Sequence, residues 1–255
     1  MKELDRLLDV AHQRARPADD VWPAAAATIE LLWWHDRFNE AQQLAEATIR
    51  DFAGEPGTLF GQNYPFDHAF LAAADRANED PAPRLAAARS YMPVDSVLGK
   101  SFGWLLSALL THQPHELMID YAWGAEQQPL KPRDQALADR PPAELSERER
   151  SRLYSAAHNR RQFSIALRLF EATGTHPPRW YVATWMAGEL VQLGQTERAT
   201  VFLTEAVPDW IPYAPWDLVP TGPILQPQLR AAVTEQLRDT ILSTVDISRV
   251  PGVTP

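Results

Sequence analysis

The stretch from Ser146 to Val207 constrains the fold most, because it contains two predicted helical hairpins in tandem. Ser146 and Glu149 form a capping-box pattern, which predicts that a helix begins here. The next predicted helix has one apolar stripe at i, i+3, i+4 and i+7, formed by Phe163, Ala166, Leu167 and Phe170. A second pair of helices is predicted on either side of Gly194, and Pro208 ends that pair.

This stretch resembles the tetratricopeptide repeat, a helical hairpin that recurs about every 34 residues. With Gly194 at the turn glycine, the family's three small-residue positions are occupied by Ala187, Ala199 and Ala206. In the preceding unit the aromatic, small, aromatic and proline positions are occupied by Phe163, Ala166, Phe170 and Pro178. The chain departs from the family at the earlier turn glycine, where it has Arg161, and it lacks the family's Trp and Leu-Gly. Residues 22–51 resemble the repeat more weakly, through Phe38 and Ala41.

The resemblance and the helical periodicity together predict an all-α fold, a short solenoid of stacked antiparallel hairpins. We predict N-terminal hairpins over residues 1–126, a proline-containing connection over 127–142, and the repeat-like hairpins from 143 onward; one continuous domain is the alternative. Residues 208–227 are rich in proline and aromatic residues, so we expect a non-helical arm that lies against the protein's own helices. Pro227 is expected to open a continuous C-terminal helix.

Several helices are predicted from local periodicity. They are an N-terminal helix over 3–15, a helix opened by Trp22-Pro23, one from Phe38 to Ile49, one around Phe66–Ala73, and a very apolar one over 97–110. On the second of these, Trp33 is expected in the core. Trp34 lies one position further round, so the two cannot share a face and one of them is expected to be exposed. Trp104 is expected to make the 97–110 helix central.

Composition argues against several classes of protein. The net charge is -9 and there is no cysteine, which argues against nucleic-acid binding and excludes disulfides and cysteine-ligated zinc. The N-terminus has no apolar region typical of a secretion signal, and no apolar run is long enough to cross a membrane. We therefore expect a cytoplasmic protein without a cofactor. Arginine far outnumbers lysine, which favours a bacterial source with a GC-rich genome.

No motif points to an enzyme. His112, His115, Glu116 and Asp120 are metal-ligand types, but Pro114 separates the histidines and the spacing is not that of a zinc protease helix. We therefore predict no metal site and no catalytic residue. The adjacent pairs His35-Asp36 and Asp67-His68 are interpreted as helix caps.

The repeat resemblance implies a concave groove that binds a partner protein or peptide. Mapped by position, the groove residues would be Arg148, Ser151, Ser155, His158, Asn159, Tyr181, Thr184 and Gln192. The aromatic residues of the arm, Trp210, Tyr213 and Trp216, are further candidates for partner contact, although packing on the protein itself is the favoured explanation. We predict a protein-binding scaffold or adaptor. The alternatives are an immunity-protein-like inhibitor of a basic toxin and an enzyme with a helical pocket beneath the arm.

Overall fold

The computed structural model describes residues 2–11, 18–52, 63–93, 95–110, 128–160, 162–173, 180–212, 214, 216–251 and 253. Throughout these residues the regular structure is helical, with α-helices and short 3-10 turns and no strand. The all-α prediction is therefore confirmed. The chain divides into two compact units, which are described separately. The first unit comprises Met1–Ile119, Pro212–Leu225 and Ile241–Pro255, and the second comprises Asp120–Ile211 and Gln226–Thr240.

The first unit is built around one long helix. Its α-helices are α1 (Lys2–Ala11), α2 (Ala18–Trp34), α3 (Phe38–Phe52), α4 (Asn63–Ala77), α5 (Ala82–Arg89), α6 (Val97–Leu110) and the short α12 (Gly222–Leu225). Helices α1, α3, α4 and α12 all pack on α2. As a result every residue from Val21 to Trp34 is buried. The run Ala24–Ala27 explains why neighbours can approach from all sides, since alanine adds little bulk to the helix surface.

The predicted apolar stripes of α3 and α4 are confirmed. Phe38, Ala41, Leu44, Ala45 and Ile49 are buried along α3. Phe66, Ala69, Phe70 and Ala73 are buried along α4. Trp22 packs edge-on against Phe66 with ring centroids 4.6 Å apart, and Phe70 packs in the same manner on Phe102 of α6 at 5.5 Å. Edge-to-face pairs of this kind add to the stabilisation from burial alone. The side chain of Trp104 lies outside the described residues.

The second unit contains the stretch that resembles the repeat family. Its helices are α7 (Pro132–Ala138), α8 (Glu147–Asn159), α9 (Phe163–Thr173), α10 (Trp180–Gln192) and α11 (Thr196–Ala206), with most of α13 (Glu235–Leu242). Helices α8 and α9 pair, and so do α10 and α11. Gly194 turns the chain between α10 and α11 with φ of 73°, a left-handed conformation that favours glycine. The predicted turn glycine is confirmed.

The capping box at the start of α8 is also confirmed. The Ser146 backbone N–H and hydroxyl donate to the Glu149 carboxylate at 2.9 and 2.8 Å, and the Glu149 N–H donates to the Ser146 hydroxyl oxygen at 3.3 Å. These bonds, with an ion pair from Arg140 at 3.1 Å, hold the pKa of Glu149 at about 2. The local sequence therefore fixes where α8 begins.

The structure corrects three expectations about helix ends. Helix α2 begins at Ala18 rather than at Trp22-Pro23, since Pro23 removes a single backbone hydrogen bond and the chain tolerates it. Residues 132–138, within the predicted connection, form α7, which packs on α8. The predicted continuous C-terminal helix is instead a 3-10 turn over Pro227–Ala232 followed by α13. Thr234 separates the two, because its hydroxyl oxygen accepts the Leu237 N–H at 3.3 Å as a helix cap does.

The structure also changes the expected environment of the proline-rich segment and of Trp34. Within the first unit, residues 216–225 lie on α2, as expected of an arm that packs on its own helices. The segment is not wholly non-helical, since α12 forms around Pro223. The expectation that one of Trp33 and Trp34 would be exposed is wrong, because this segment covers the Trp34 side of α2 and both side chains are at 0% exposure. The Trp34 indole Nε1–H donates to the Pro220 carbonyl oxygen at 3.0 Å.

Candidate functional site

The two hairpins of the second unit pack through α9 and α10, and side-chain contacts also join their like helices. On one side, the Tyr154 hydroxyl of α8 lies 3.3 Å from the Met186 sulfur of α10. On the other side, the rings of Phe170 on α9 and Phe202 on α11 lie 5.7 Å apart between centroids. The first helix of one hairpin, α8, therefore contacts the first helix of the next, α10, and the second helices, α9 and α11, contact each other.

Further elements of the same unit cover both ends of the hairpin pair. Before the first hairpin, α7 and the turn after it pack on α8 and α9 through a cluster of buried residues, Leu130, Ala138, Leu145, Leu153 and Leu169. Beyond the second hairpin, the turn Pro227–Ala232 packs on α10 and α11, and the Thr200 hydroxyl donates to the Ala232 carbonyl at 2.9 Å. A short stack of hairpins needs such covers, since an uncovered end would expose its apolar face.

One face of α8 remains exposed. Arg148, Ser151, Ser155 and Asn159 recur at three- and four-residue steps, so they share that face, and each is exposed. The opposite face holds the buried Leu153 and Ala157. The sequence-predicted residues of α8 with described side chains therefore do form one polar surface, which we call the α8 face. The side chain of His158 lies outside the described residues.

The predicted site residues on α10 are more mixed. Gln192 is exposed, Thr184 is half-buried, and Gly188, which lies between them at four-residue steps, is buried. The side chain of Tyr181 lies outside the described residues. Helix α10 therefore contributes less open surface than the sequence predicted, because the turn Pro227–Ala232 also packs on it.

The aromatic candidates of the arm do not lie in one compact unit. Trp210 belongs to the second unit and Trp216 to the first, and both are half-buried, while Tyr213 lies outside the described residues. Ile211, between them, is 83% exposed. Sequence reasoning grouped these aromatics because they are close in the chain, whereas their packing differs.

The α8 face carries charge at an unusual place. Arg148 is the second residue of α8, where the positive end of the helix dipole disfavours a cation. Nearby, Arg152 is held by the buried Asp134 of α7 through a 2.9 Å bond from Nε to Oδ1. Ser151 and Ser155 are weak helix formers at exposed interior positions, and the Ser155 hydroxyl donates back to the Ser151 carbonyl at 3.1 Å. The residue types on the α8 face are therefore not the ones that would stabilise this helix best.

Sequence reasoning missed a buried acidic residue in the first unit. Glu30 of α2 is 4% exposed, and its Oε2 accepts the Leu218 N–H at 3.3 Å. Burial raises the pKa of the Glu30 carboxyl well above its usual value, and the nearby Asp217 carboxylate raises it further. Hydrogen bonds from the Leu218 and Val219 N–H groups act in the opposite direction. A single charged residue in the long apolar stretch from Val21 to Trp34 was the signal in the sequence.

A second polar cluster joins α4 to α6 in the same unit. Asp67 is 6% exposed; its Oδ1 lies 2.6 Å from His68 Nδ1, and its Oδ2 accepts the Ser101 hydroxyl at 2.8 Å. The interpretation of Asp67 as a helix cap is wrong, since it lies inside α4. The three residue types are those of a hydrolytic triad, but here the carboxylate bonds to both partners, whereas the triad mechanism requires the imidazole to contact the hydroxyl.

A surface cavity of about 630 Å³ lies where α2 turns into α3, next to the end of α4. Its charged lining is balanced, with Asp36 and Glu40 against Arg37 and Arg76. Arg37 is committed to Glu40 through Nε–Oε1 and Nη2–Oε2 contacts of 2.8 and 2.5 Å, and Arg76 stacks 4.4 Å from the Phe38 ring centroid. The charged side chains of the lining are therefore already in contact with partners within the protein, and the cavity favours no class of ligand.

Comparison of the chain with protein-family models, with curated proteins and with solved structures found no match. Among the described residues, no group of three histidine, aspartate or glutamate side chains is placed to hold a metal ion. His112, His115, Glu116 and Asp120 lie outside that part of the chain. None of the described helices combines the length and apolar character that a membrane span requires.

Proposed function

We propose that this protein is a helical scaffold that binds a partner protein or peptide on the α8 face of its second unit. The observation that supports this most is the contact of like helices between consecutive hairpins, Tyr154 with Met186 and Phe170 with Phe202. Hairpins stacked in this manner form short solenoids, whose first helices line one surface. In this chain that surface would be the α8 face, extended by Gln192 of α10.

The chemistry of the α8 face favours a partner with acceptor groups. Arg148 offers five N–H donors, and the serine hydroxyls and the Asn159 amide can bond to an extended backbone. Arg148 stands against the local helix dipole, so its presence costs a little stability and is better explained by an external contact. His158 and Tyr181 belong to the same prediction, although their side chains are not described.

A charge-reversal pair of variants tests the proposal. Arg148→Glu should abolish most partner capture from the source cell, because it replaces a donor with a like charge for an acidic partner. Arg133→Glu is the matched control, since Arg133 is an exposed arginine of α7 in the same unit. Proteins retained by the wild type and the control but lost with Arg148→Glu, identified by mass spectrometry, would be the partners. Equal retention by all three would refute the α8 face as the binding surface.

A further inference from the structure

Residues 216–220, which we call the strap, are fastened to α2 by main-chain hydrogen bonds. The Leu218 N–H donates to Glu30 Oε2 at 3.3 Å, and the Trp34 indole donates to the Pro220 carbonyl at 3.0 Å. The neighbouring Val219 N–H also acts on the Glu30 carboxyl group and lowers its pKa. Glu30 and Trp34 are four residues apart and lie on one face of α2, so they hold consecutive residues of the strap.

The strap is also what separates Glu30 from water. Leu218, Val219 and Pro220 are all buried, and Glu30 beneath them is 4% exposed. If Glu30 were ionised in that position, its carboxylate would lose its hydrating water and would have only the N–H groups of Leu218 and Val219 as donors. The loss of hydration disfavours the charged form, whereas the neutral acid is tolerated.

The charged surroundings of Glu30 do not compensate for that loss. Asp217, on the strap itself, acts on Glu30 with a charge of the same sign. On α4 the buried Asp67 is bound to His68 and Ser101, and Asp75 and Arg76 are exposed. Among the described side chains of α1, the exposed charged residues are Asp5, Arg6 and Asp9. On α3 they are Glu40, Arg50 and Asp51, and Glu46 is half-buried. Helix α12 carries no charged residue.

We propose that the strap opens from α2 when the Glu30 carboxyl group ionises, so that the first unit has a closed form at low pH and an opened form at higher pH. Opening would hydrate Glu30 and uncover Trp34. The direction follows from linkage. Because the pKa of Glu30 is raised in the closed form, its contribution to closure is complete below the ordinary value of 4.5 and is lost as pH rises through the raised value.

Hydrogen exchange of the full-length protein tests this directly. Protection of the strap amides, corrected for the intrinsic rate, is measured by mass spectrometry from about pH 5 to pH 9. In the wild type it should fall by up to about tenfold per pH unit until the pH passes the raised pKa of Glu30. Protection of α3 should not change in parallel. In Glu30→Gln, which keeps an acceptor but cannot ionise, the strap should stay protected throughout.

Two further variants keep the test decisive if Glu30→Gln does not fold. Asp217→Asn removes the like charge, so the fall in strap protection should level off at a lower pH and be smaller in total. Asp95→Asn, an exposed acid of the same unit, is the matched control and should behave as the wild type does. Strap protection that is independent of pH, or that falls equally in Glu30→Gln, would overturn the proposal. So would a parallel fall in α3, which would indicate unfolding of the whole unit.

Discussion

Helices α2 and α8 are used in opposite ways by the same chain. All residues of α2 from Val21 to Trp34 are buried, including the polar Thr28 and Glu30. In α8 the described buried residues are Leu153 and Ala157, while the α8 face is open to solvent. A helix that is apolar all round belongs inside a core, and one with a narrow apolar stripe belongs at the surface.

The difference separates what α2 and α8 can contribute. A substitution on any side of α2 disturbs packing, so this helix can carry little variation for recognition. Substitutions on the α8 face leave the buried stripe untouched, which allows binding chemistry to change independently of the fold. The comparison therefore predicts that stability is concentrated in α2 and recognition in α8, and each prediction below tests one side of it.

The largest effect is expected for Trp34→Ala. Truncation removes a fully buried indole from α2 and its bond to the Pro220 carbonyl, so the free energy of unfolding should fall by about 3–5 kcal/mol in a urea titration. The matched control is Trp210→Ala, since Trp210 is half-buried in the second unit and should cost clearly less. Equal costs would show that α2 is not the more sensitive region.

The next effect is expected for Asp67→Ala, which breaks the buried cluster between α4 and α6. Loss of the bonds from Ser101 and His68 to a buried carboxylate should cost about 1.5–3 kcal/mol. A double-mutant cycle with Ser101→Ala isolates the pairwise contribution, and a coupling of at least about 0.5 kcal/mol is expected. Strict additivity would mean that the two side chains act independently.

The sequence predicted those parts of the fold that depend on short-range chemistry. The capping box of Ser146 and Glu149, the left-handed turn at Gly194 and the apolar stripe of α3 all depend on residues close in the chain. The errors occurred where distant residues decide the outcome. Trp34 is buried because residues nearly two hundred positions away cover it. Asp67, which was expected to cap a helix, instead lies inside α4 and accepts a hydrogen bond from Ser101.

The predictions for the candidate site also succeeded where short-range chemistry decides and failed where distant residues decide. The exposed positions on α8 follow from helical spacing and the adjacent Leu153, so the sequence was sufficient there. On α10 Gly188 is buried and the turn Pro227–Ala232 packs on the helix, neither of which the local pattern reveals. Glu30 was missed for the same reason, because its partners Leu218 and Val219 belong to the far end of the chain.

A smaller effect is expected for Ser146→Ala at the start of α8. Loss of the cap should lower the free energy of unfolding by about 1 kcal/mol near neutral pH. Because the pKa of Glu149 is lowered to about 2, its contribution is present above the ordinary value of 4.5 and is lost as pH falls through about 2. The difference in melting temperature between wild type and variant should therefore persist at about pH 5 and shrink towards pH 2. A difference that does not depend on pH would argue against the bond from the Ser146 hydroxyl to the Glu149 carboxylate.

The smallest effect on stability is expected for Arg148→Glu, the variant that should have the largest effect on partner capture. The free energy of unfolding should change by no more than about 0.5 kcal/mol, because Arg148 is exposed. Its sign should be neutral to stabilising, since an acidic residue suits the first turn of α8 better than a cation does. Thermal unfolding followed by circular dichroism measures this, with Arg133→Glu as control. If Arg148→Glu destabilised the protein as much as Trp34→Ala does, the α8 face would be part of the packed structure, and the contrast with α2 would fail.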